Sequence, residues 1–146
     1  MVCFLRRRWD KGQKACKTLG KTDATMSLVQ FCEKGDLEGV KAALKSGTDV
    51  NTKGEYGWTG LMWAVIYSHT SVVALLLNTP NIDVNQKDNQ GRCALHWAVT
   101  WENIEAVKLL LNVPNIYMNI VTNNGKNAVH RAVEVNNTGL LKLLLS

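Results

Sequence analysis

Histidine and cysteine are the residues of this sequence that could support nucleophilic or metal chemistry, but their spacing favours neither. His96 and His130 lie 34 residues apart, and the four cysteines form no CxxC pair. The HExxH metalloprotease pattern, the GxSxG nucleophile pattern and the phosphate-binding patterns GxxxxGK(S/T) and GxGxxG are all absent. The sequence therefore predicts a protein without enzymatic activity, cofactor, metal site or small-molecule substrate.

The cysteines are expected to be reduced and structural. Cys32 and Cys93 fall at positions predicted to be interior, where a thiol behaves as a small apolar side chain. The apolar block of residues 2–5 is too short for a signal peptide, and its basic residues follow it instead of preceding it. We therefore expect reduced thiols and a cytoplasmic location, and a nuclear location is the alternative. Cys3 lies near arginines, which leaves lipid attachment there as an alternative.

Excess basic charge is confined to the first 25 residues. This segment carries seven Lys or Arg and two Asp, whereas residues 26–146 carry ten basic and ten acidic side chains. We expect residues 1–25 to form a disordered tail. Nuclear import, or binding to an anionic surface such as nucleic acid or membrane, is the alternative, and it depends on the tail alone.

The elements that must position all these residues repeat at a constant step of 34 residues. Segments that begin at Gly57, Gly91 and Gly125 align without a gap, and each carries a Leu-Leu-Leu triplet at the same place. A pair of short helices cannot bury its apolar face alone, whereas stacked copies cover one another. The sequence predicts one domain with about four repeats, the first of them degenerate, at 26–51, 52–85, 86–119 and 120–146.

Each repeat is predicted to contain two short helices between turns, because its apolar residues recur at helical spacing. Thr59 and Asn127 precede first helices, where their side chains can accept a hydrogen bond from an unpaired backbone N–H. Pro80 and Pro114 mark the ends of second helices, since proline has no N–H to donate. Clusters of Asn, Gln and Gly between repeats predict a tight hairpin there.

This pattern resembles the ankyrin repeat. The family motif Thr-Pro-Leu-His-x-Ala is matched in part at residues 59–64, 93–98 and 127–132. The motif proline is absent from all three, and Cys93 stands where a capping threonine belongs, a change worth about 1 kcal/mol. The resemblance implies an all-α, ankyrin-type solenoid of helix-turn-helix units joined by short hairpin loops.

The resemblance also implies roles for single residues. His96 and His130 would hydrogen-bond the backbone of a neighbouring loop, and His69, at the bend between helices, would be structural as well. In ankyrin repeats a partner usually lies along the concave surface and contacts the hairpin tips and the exposed side of the first helices. Carried over by position, the partner-binding residues would be Tyr56, Trp58, Ile66, Tyr67, Arg92, Thr100, Trp101, Lys126 and Glu134.

Tyr, Trp and Arg dominate binding energy at many interfaces, so the aromatic members of this set are expected to anchor a partner and the charged members to orient it. The alternative is that the aromatic rings pack on one another between repeats. Trp63 and Trp97 occupy one position in consecutive repeats and are expected in the core.

The sequence thus predicts a monomeric protein-interaction module whose partner it does not identify. One alternative is an ankyrin segment of a larger regulatory protein, such as a ubiquitin-ligase substrate adaptor or the cytosolic domain of a channel. The sequence stops inside a predicted helix without a polar capping repeat, which motivates this alternative or a partner that covers the end. The other alternative is anionic-surface binding through the tail.

Overall fold

The computed structural model describes residues 27–145 of the chain. In this part eight α-helices follow one another: α1 (Leu28–Lys34), α2 (Leu37–Lys45), α3 (Gly60–Ile66), α4 (Thr70–Leu77), α5 (Ala94–Thr100), α6 (Ile104–Leu111), α7 (Ala128–Glu134) and α8 (Thr138–Leu145). A short 3-10 turn, Glu55–Gly57, precedes α3. The predictions for the basic tail and for Cys3 concern residues outside the described part.

The helices pair within each repeat and stack between repeats. Each odd-numbered helix packs against the even-numbered helix that follows it. The odd-numbered helices also contact one another in sequence, as do the even-numbered ones, so the stack has two layers of helices. This arrangement confirms the predicted all-α solenoid, in which each helix pair is held chiefly by its neighbours.

Side chains cap the first helices where the sequence predicted. Thr59 Oγ1 accepts a hydrogen bond from the Met62 N–H at 3.3 Å, and Asn127 Oδ1 accepts from the His130 N–H at 2.9 Å. Each bond satisfies one backbone donor that has no partner inside its helix. The second helices α4 and α6 end before the prolines that follow them, as expected.

Small residues let the first helices approach one another closely. Gly60, Ala94 and Ala128 occupy the same position in successive repeats and are buried. A Cβ atom at Gly60 would lie 2.7 Å from Cys32 Sγ of α1, so this position faces the preceding repeat. We call the side of a helix pair that faces the preceding repeat its leading face, and the opposite side its trailing face.

Asparagine side chains join the loops that leave successive repeats. Asn51 donates through Nδ2 to the Asn81 carbonyl at 2.8 Å and accepts through Oδ1 from the Asp83 N–H at 2.7 Å. Asn85 makes the same two bonds to the loop after α6, at 2.7 and 2.8 Å. The regular asparagine step in the sequence therefore reflects a contact between repeats.

Candidate protein-binding surface

Three hairpins, one before each of the last three helix pairs, form a bonded row. Their closing backbone bonds run from the N–H of residues 54, 88 and 122 to the carbonyl four residues later, at 2.8, 2.8 and 2.9 Å. The hairpins also bond to one another, because the Asn89 N–H donates to Tyr56 O at 3.2 Å and the Asn123 N–H donates to Gln90 O at 3.0 Å. The predicted hairpins are thus present and fixed relative to one another.

Glycine is required where one hairpin meets the next. Gly91 has φ of +78°, and a Cβ atom there would lie 2.9 Å from the backbone nitrogen of Asn123. Gly57 also has a positive φ, and a Cβ atom there would come similarly close to the backbone nitrogen of Asn89 in the next hairpin. Gly125, one step later, also has a positive φ but faces open space. The close approach of neighbouring hairpins therefore depends on two of these three glycines.

A buried carboxylate lies beneath the second hairpin. The Asp88 side chain is fully shielded from solvent. Its Oδ2 accepts from the indole Nε1 of Trp58 and of Trp97, and from Arg92 Nε, each at 3.1 Å. Its Oδ1 accepts from the backbone N–H groups of Gln90 and Arg92 at 2.8 and 2.9 Å. These five hydrogen bonds compensate for the water that the carboxylate loses on burial. Without such partners a buried carboxylate would be strongly destabilising.

Trp58 is not on the surface, and the expectation of a solvent-facing position for it is wrong. Only 2% of the residue is exposed. Its ring contacts those of Trp63 and Trp97 edge to face, with centroids 4.7 and 4.8 Å apart. The alternative reading, that aromatic rings pack on one another between repeats, is correct for this residue. Trp63 and Trp97 are buried, as predicted.

Three other residues of the second repeat differ in exposure. Ile66 is 3% exposed, so its predicted place on an open surface is wrong as well, because it packs into the core. Tyr67 is half-buried, and its ring stacks 6.0 Å from that of Trp63. Tyr56, by contrast, is 53% exposed at the hairpin tip, with its ring 5.3 Å from Trp58. Of these aromatic residues Trp58 is therefore buried, Tyr67 is half-buried and Tyr56 is exposed.

The predicted residues of the third repeat are partly buried and engaged in contacts. The Arg92 guanidinium lies 3.9 Å from the centroid of the Trp97 ring, a cation–π contact in addition to its ion pair with Asp88. Burial lowers the pKa of Arg92, and Asp88 opposes that shift. Thr100 Oγ1 accepts from Arg131 Nε of the fourth repeat at 3.1 Å. Trp101 is half-buried, with an indole Nε1 that has no hydrogen-bond partner.

An exposed ion-pair cluster occupies the fourth repeat. Glu134 at the end of α7 pairs with Lys126 of the hairpin and with Arg131 Nη1 at 2.8 Å. Hydrogen bonds from Lys126 and Arg131 lower the pKa of the Glu134 carboxyl below its ordinary value. The Lys126–Glu134 pair also places a hairpin and the end of a first helix on one surface, as the ankyrin resemblance implied.

The histidines have structural contacts. His96 Nδ1 accepts from the Cys93 N–H at 3.2 Å, so Nε2 carries the proton and donates to Lys126 O of the next hairpin at 3.2 Å. This bond confirms the role that the ankyrin resemblance implied. His69 Nε2 lies 2.9 Å from Glu33 O of the preceding repeat. His130 also accepts at Nδ1, from the Asn127 N–H at 3.1 Å, but no neighbouring loop follows it among the described residues.

Both described cysteines are buried free thiols, as predicted. Burial raises the pKa of Cys32 to about 12 and also raises that of Cys93. Thiols protonated in this way are poor nucleophiles. Among residues 27–145 no group of three or more His, Cys, Asp or Glu side chains could hold a metal ion. None of the helices described is both long and apolar enough to cross a membrane.

Sequence reasoning missed Asp88 and Arg131. The counterparts of Asp88 in the neighbouring repeats are Gly54 and Thr122, which are residues common in turns. The sequence alone therefore suggests that Asp88 is an ordinary turn residue. A usable signal was present, since a buried tryptophan normally needs an acceptor for its indole N–H. Asp88 is a charged acceptor close in sequence to Trp97.

Known proteins share this repeat. A family model described as ankyrin repeats (3 copies) matches residues 28–121 and 87–146. The human protein named mitochondrial disaggregase is 34% identical over 62 residues, which is 42% of this chain and 9% of that protein. The chain thus aligns with a small part of that relative. This chain belongs to the ankyrin-repeat family, whose repeats generally serve as protein-interaction modules and are typically not enzymes.

Proposed function

We propose that this chain is a non-enzymatic module that binds a partner protein along its row of hairpins. The hairpin surface consists of the exposed tips and the adjoining ends of first helices, namely Tyr56, Asn89, Gln90, Arg92, Trp101, Asn123, Asn124, Lys126 and Glu134. The observation that carries the proposal is the backbone bonding between successive hairpins. A surface that is ordered before binding loses little conformational entropy when a partner arrives.

Tyr56 is the strongest anchor candidate on the hairpin surface. It is 53% exposed, its carbonyl is bonded to the next hairpin, and its ring leans on the buried Trp58. A tyrosine held in this way can give a partner a large contact area and a polar hydroxyl at a small entropic cost. Trp58 serves this anchor from beneath and does not itself meet the partner.

The far end of the hairpin surface favours a partner with an acidic group. Lys126 and Arg131 supply two positive charges there, against the single negative charge of Glu134. Exposed ion pairs contribute little to stability and exchange readily, so an incoming carboxylate can compete with Glu134 for these cations. Arg92, which is held by Asp88 and Trp97, fixes the middle of the row.

The proposal is tested by comparing two exposed tyrosines. Tyr56→Ala removes the anchor at the hairpin tip, whereas Tyr117→Ala removes a tyrosine that is 66% exposed in the loop after α6, outside the hairpin surface. Proximity labelling in cells with wild type and both variants, followed by affinity measurement with the purified partner, gives the comparison. We expect Tyr56→Ala to weaken binding at least about tenfold, as for an interface hot spot.

Tyr117→Ala should bind like wild type. Circular dichroism must first show that all three proteins are equally helical. If both variants keep their partners, or if both lose them equally, the hairpin surface is not the binding site and the proposal fails.

A further inference from the structure

We infer that the hairpin and first helix of the second repeat bind the basic segment of this same chain, residues 1–25. The surface that carries this inference is a group of aromatic residues with an acidic residue at each end. The aromatic cluster, as we call the rings, consists of Tyr56, Trp58, Trp63, Tyr67 and His69. The acidic residues are Glu55 and Glu33.

The rings of the aromatic cluster form a continuous series from the hairpin tip to the bend after α3. Tyr56 contacts Trp58 with centroids 5.3 Å apart, and Trp58 contacts Trp63 at 4.7 Å. Trp63 stacks on Tyr67, and Tyr67 on His69, each at 6.0 Å. Because Trp58 and Trp63 are buried, they support the exposed Tyr56 and the half-buried Tyr67 from beneath. The outer rings are therefore fixed before a ligand arrives.

Rings of this kind bind cations, and the third repeat contains an example. The Arg92 guanidinium lies 3.9 Å from the centroid of Trp97, which occupies the position of Trp63 one repeat later. The electron-rich face of an indole or phenol ring attracts such a group. The corresponding stretch of the second repeat, residues 54–69, contains no Lys or Arg. A cation for its rings would have to come from elsewhere in the chain or from another molecule.

Acidic residues adjoin both ends of the aromatic cluster. Glu55 is exposed at the hairpin tip beside Tyr56, and the Glu33 carbonyl lies 2.9 Å from His69 Nε2. Residues 54–69 carry one acidic and no basic side chain, whereas the equivalent residues 122–137 of the fourth repeat carry two basic and one acidic. The second repeat therefore favours a cationic ligand, and the fourth repeat an anionic one.

The backbone of Tyr56 has an unfavourable conformation. Its φ of +62° lies in the left-handed region, which favours glycine. Gln90 and Asn124, which occupy the same position in the next two repeats, have no positive φ. Strain of this kind persists where the surrounding structure enforces it, and it is concentrated at sites that bind ligands. The strained backbone therefore supports a ligand-binding role for the Tyr56 ring.

The basic segment supplies the chemistry that this surface fits. Residues 1–25 carry seven Lys or Arg against two Asp, and Arg6, Arg7 and Arg8 are followed directly by Trp9. A guanidinium group both stacks on aromatic faces and pairs with carboxylates, so consecutive arginines match rings that alternate with acidic groups. Residues 26–146 have equal numbers of basic and acidic side chains, so the excess positive charge of the chain is in this segment.

The segment is attached close to the aromatic cluster. It joins the described chain at Ser27, the N-cap of α1, and α1 packs against α3, which carries Trp63. Arg8 precedes Ser27 by 19 positions. A fully extended chain of that length spans about 65 Å, whereas a seven-residue helix such as α3 is only about 10 Å long. Covalent attachment also gives the segment a high effective concentration, which favours it over a basic segment of another protein.

Docking of this segment would regulate the hairpin surface. It would cover Tyr56, which the proposed function assigns as the anchor for a partner, and a partner would then have to displace it. This consequence rests on the proposed function, whereas the docking itself does not.

The test measures paramagnetic broadening in the full chain. A nitroxide is attached to Cys3 in a Cys16→Ser variant, since Cys32 and Cys93 are buried and do not compete for the label. Amide NMR signals of the isotope-labelled protein are compared with the nitroxide oxidised and reduced. We expect the signals of residues 55–57 and 67 to lose most of their intensity when the nitroxide is oxidised. Those of residues 123–126, in the third hairpin, should keep theirs.

Charge reversal on either side should abolish the broadening. The triple variant Arg6→Glu, Arg7→Glu and Arg8→Glu changes the segment, and Glu55→Lys changes the surface. Glu38→Lys is the matched control, because it makes the same charge change at an exposed residue of α2 and should leave the broadening intact. Circular dichroism must first show that all variants are equally helical.

Equal broadening in all three hairpins, or broadening that the triple variant or Glu55→Lys leaves intact, overturns the proposal. Equal broadening in a mixture of isotope-labelled chains without nitroxide and unlabelled chains with it also overturns the proposal, since the occupant would then belong to a second copy. No partner is present in these samples, so the result is independent of the Tyr56→Ala comparison that tests the proposed function.

Discussion

The junction between repeats two and three and the junction between repeats three and four share one backbone plan but differ in chemistry. At the first junction, the buried Asp88 carboxylate receives two indole N–H groups, Arg92 and two backbone N–H groups. At the second, the Thr122 hydroxyl takes the place of that carboxylate and accepts two backbone N–H groups at 3.3 Å.

The consequence is a difference in local stability. Position 97 is a buried Trp at the first junction, whereas its counterpart Arg131 at the second is part of an exposed ion-pair cluster. A buried junction with a fully hydrogen-bonded charge resists opening, whereas a solvent-exposed junction opens more easily. In a repeat stack stability depends on neighbouring interfaces, so we expect unfolding to begin from the fourth repeat.

The largest expected effect comes from removing the buried acceptor. Asp88→Ala leaves Arg92 and two indole N–H groups without their shared partner, and should lower the free energy of unfolding by about 3–5 kcal/mol. Thr122→Ala, the equivalent change at the second junction, should cost only about 1 kcal/mol. Urea denaturation of both variants measures the difference. Equal losses would contradict the contrast between the junctions.

A smaller effect is expected from one tryptophan bond. Trp97 and Trp63 occupy the same position and are both buried, but only the Trp97 indole donates to Asp88, while Trp63 Nε1 has no hydrogen-bond partner. Both Phe substitutions remove similar volume. Trp97→Phe should therefore destabilise the fold by about 1.5–3 kcal/mol more than Trp63→Phe, as measured by the same denaturation experiment. A difference near zero would mean that Asp88 does not depend on this donor.

The glycines separate backbone strain from contact between hairpins. Gly91 and Gly125 have φ of +78° and +72°, so alanine is strained at both, but only at Gly91 does the new Cβ collide with the next hairpin. Gly91→Ala should cost about 1–2 kcal/mol more than Gly125→Ala in thermal or urea denaturation. If the two variants are equally stable, the hairpins are not held together as closely as the structure indicates.

The smallest effect is expected from acidification. Burial lowers the folded-state pKa of His96 below its ordinary value of 6.5, although the bond to Lys126 O opposes the shift. The unfolded chain then binds the proton more readily, so this stabilising contribution is present above pH 6.5 and is lost as the pH falls through the folded pKa. Urea midpoints measured from pH 7.5 to 5 should decrease, and the decrease should be smaller in His96→Gln. An unchanged slope in that variant would assign the effect to other groups.

The fold was predictable because it depends on local spacing. The leucine triplets and the capping residues belong to single helix pairs, and the 34-residue step relates one pair to the next. The caps at Thr59 and Asn127 form as predicted. The candidate surface was predictable only in part. Trp58, Arg92 and Lys126 occupy one position in three repeats, and transfer by position put all three on the surface.

The structure distinguishes these residues by their neighbours. Trp58 is buried because Trp97, 39 positions away, packs on its ring and Asp88 accepts its N–H. Arg92 is half-buried on the same carboxylate, and Lys126 is exposed because Thr122 offers no charge to hold it.

The sequence by itself therefore determined the repeat, its helices, its turns and its family resemblance, because each of these depends on residues within about one turn or one repeat step of one another. Only the tertiary structure decided which equivalent positions are buried and which donors share an acceptor. Burial and hydrogen bonding at those positions depend on side chains from adjacent repeats, and these interactions arise only when the repeats stack.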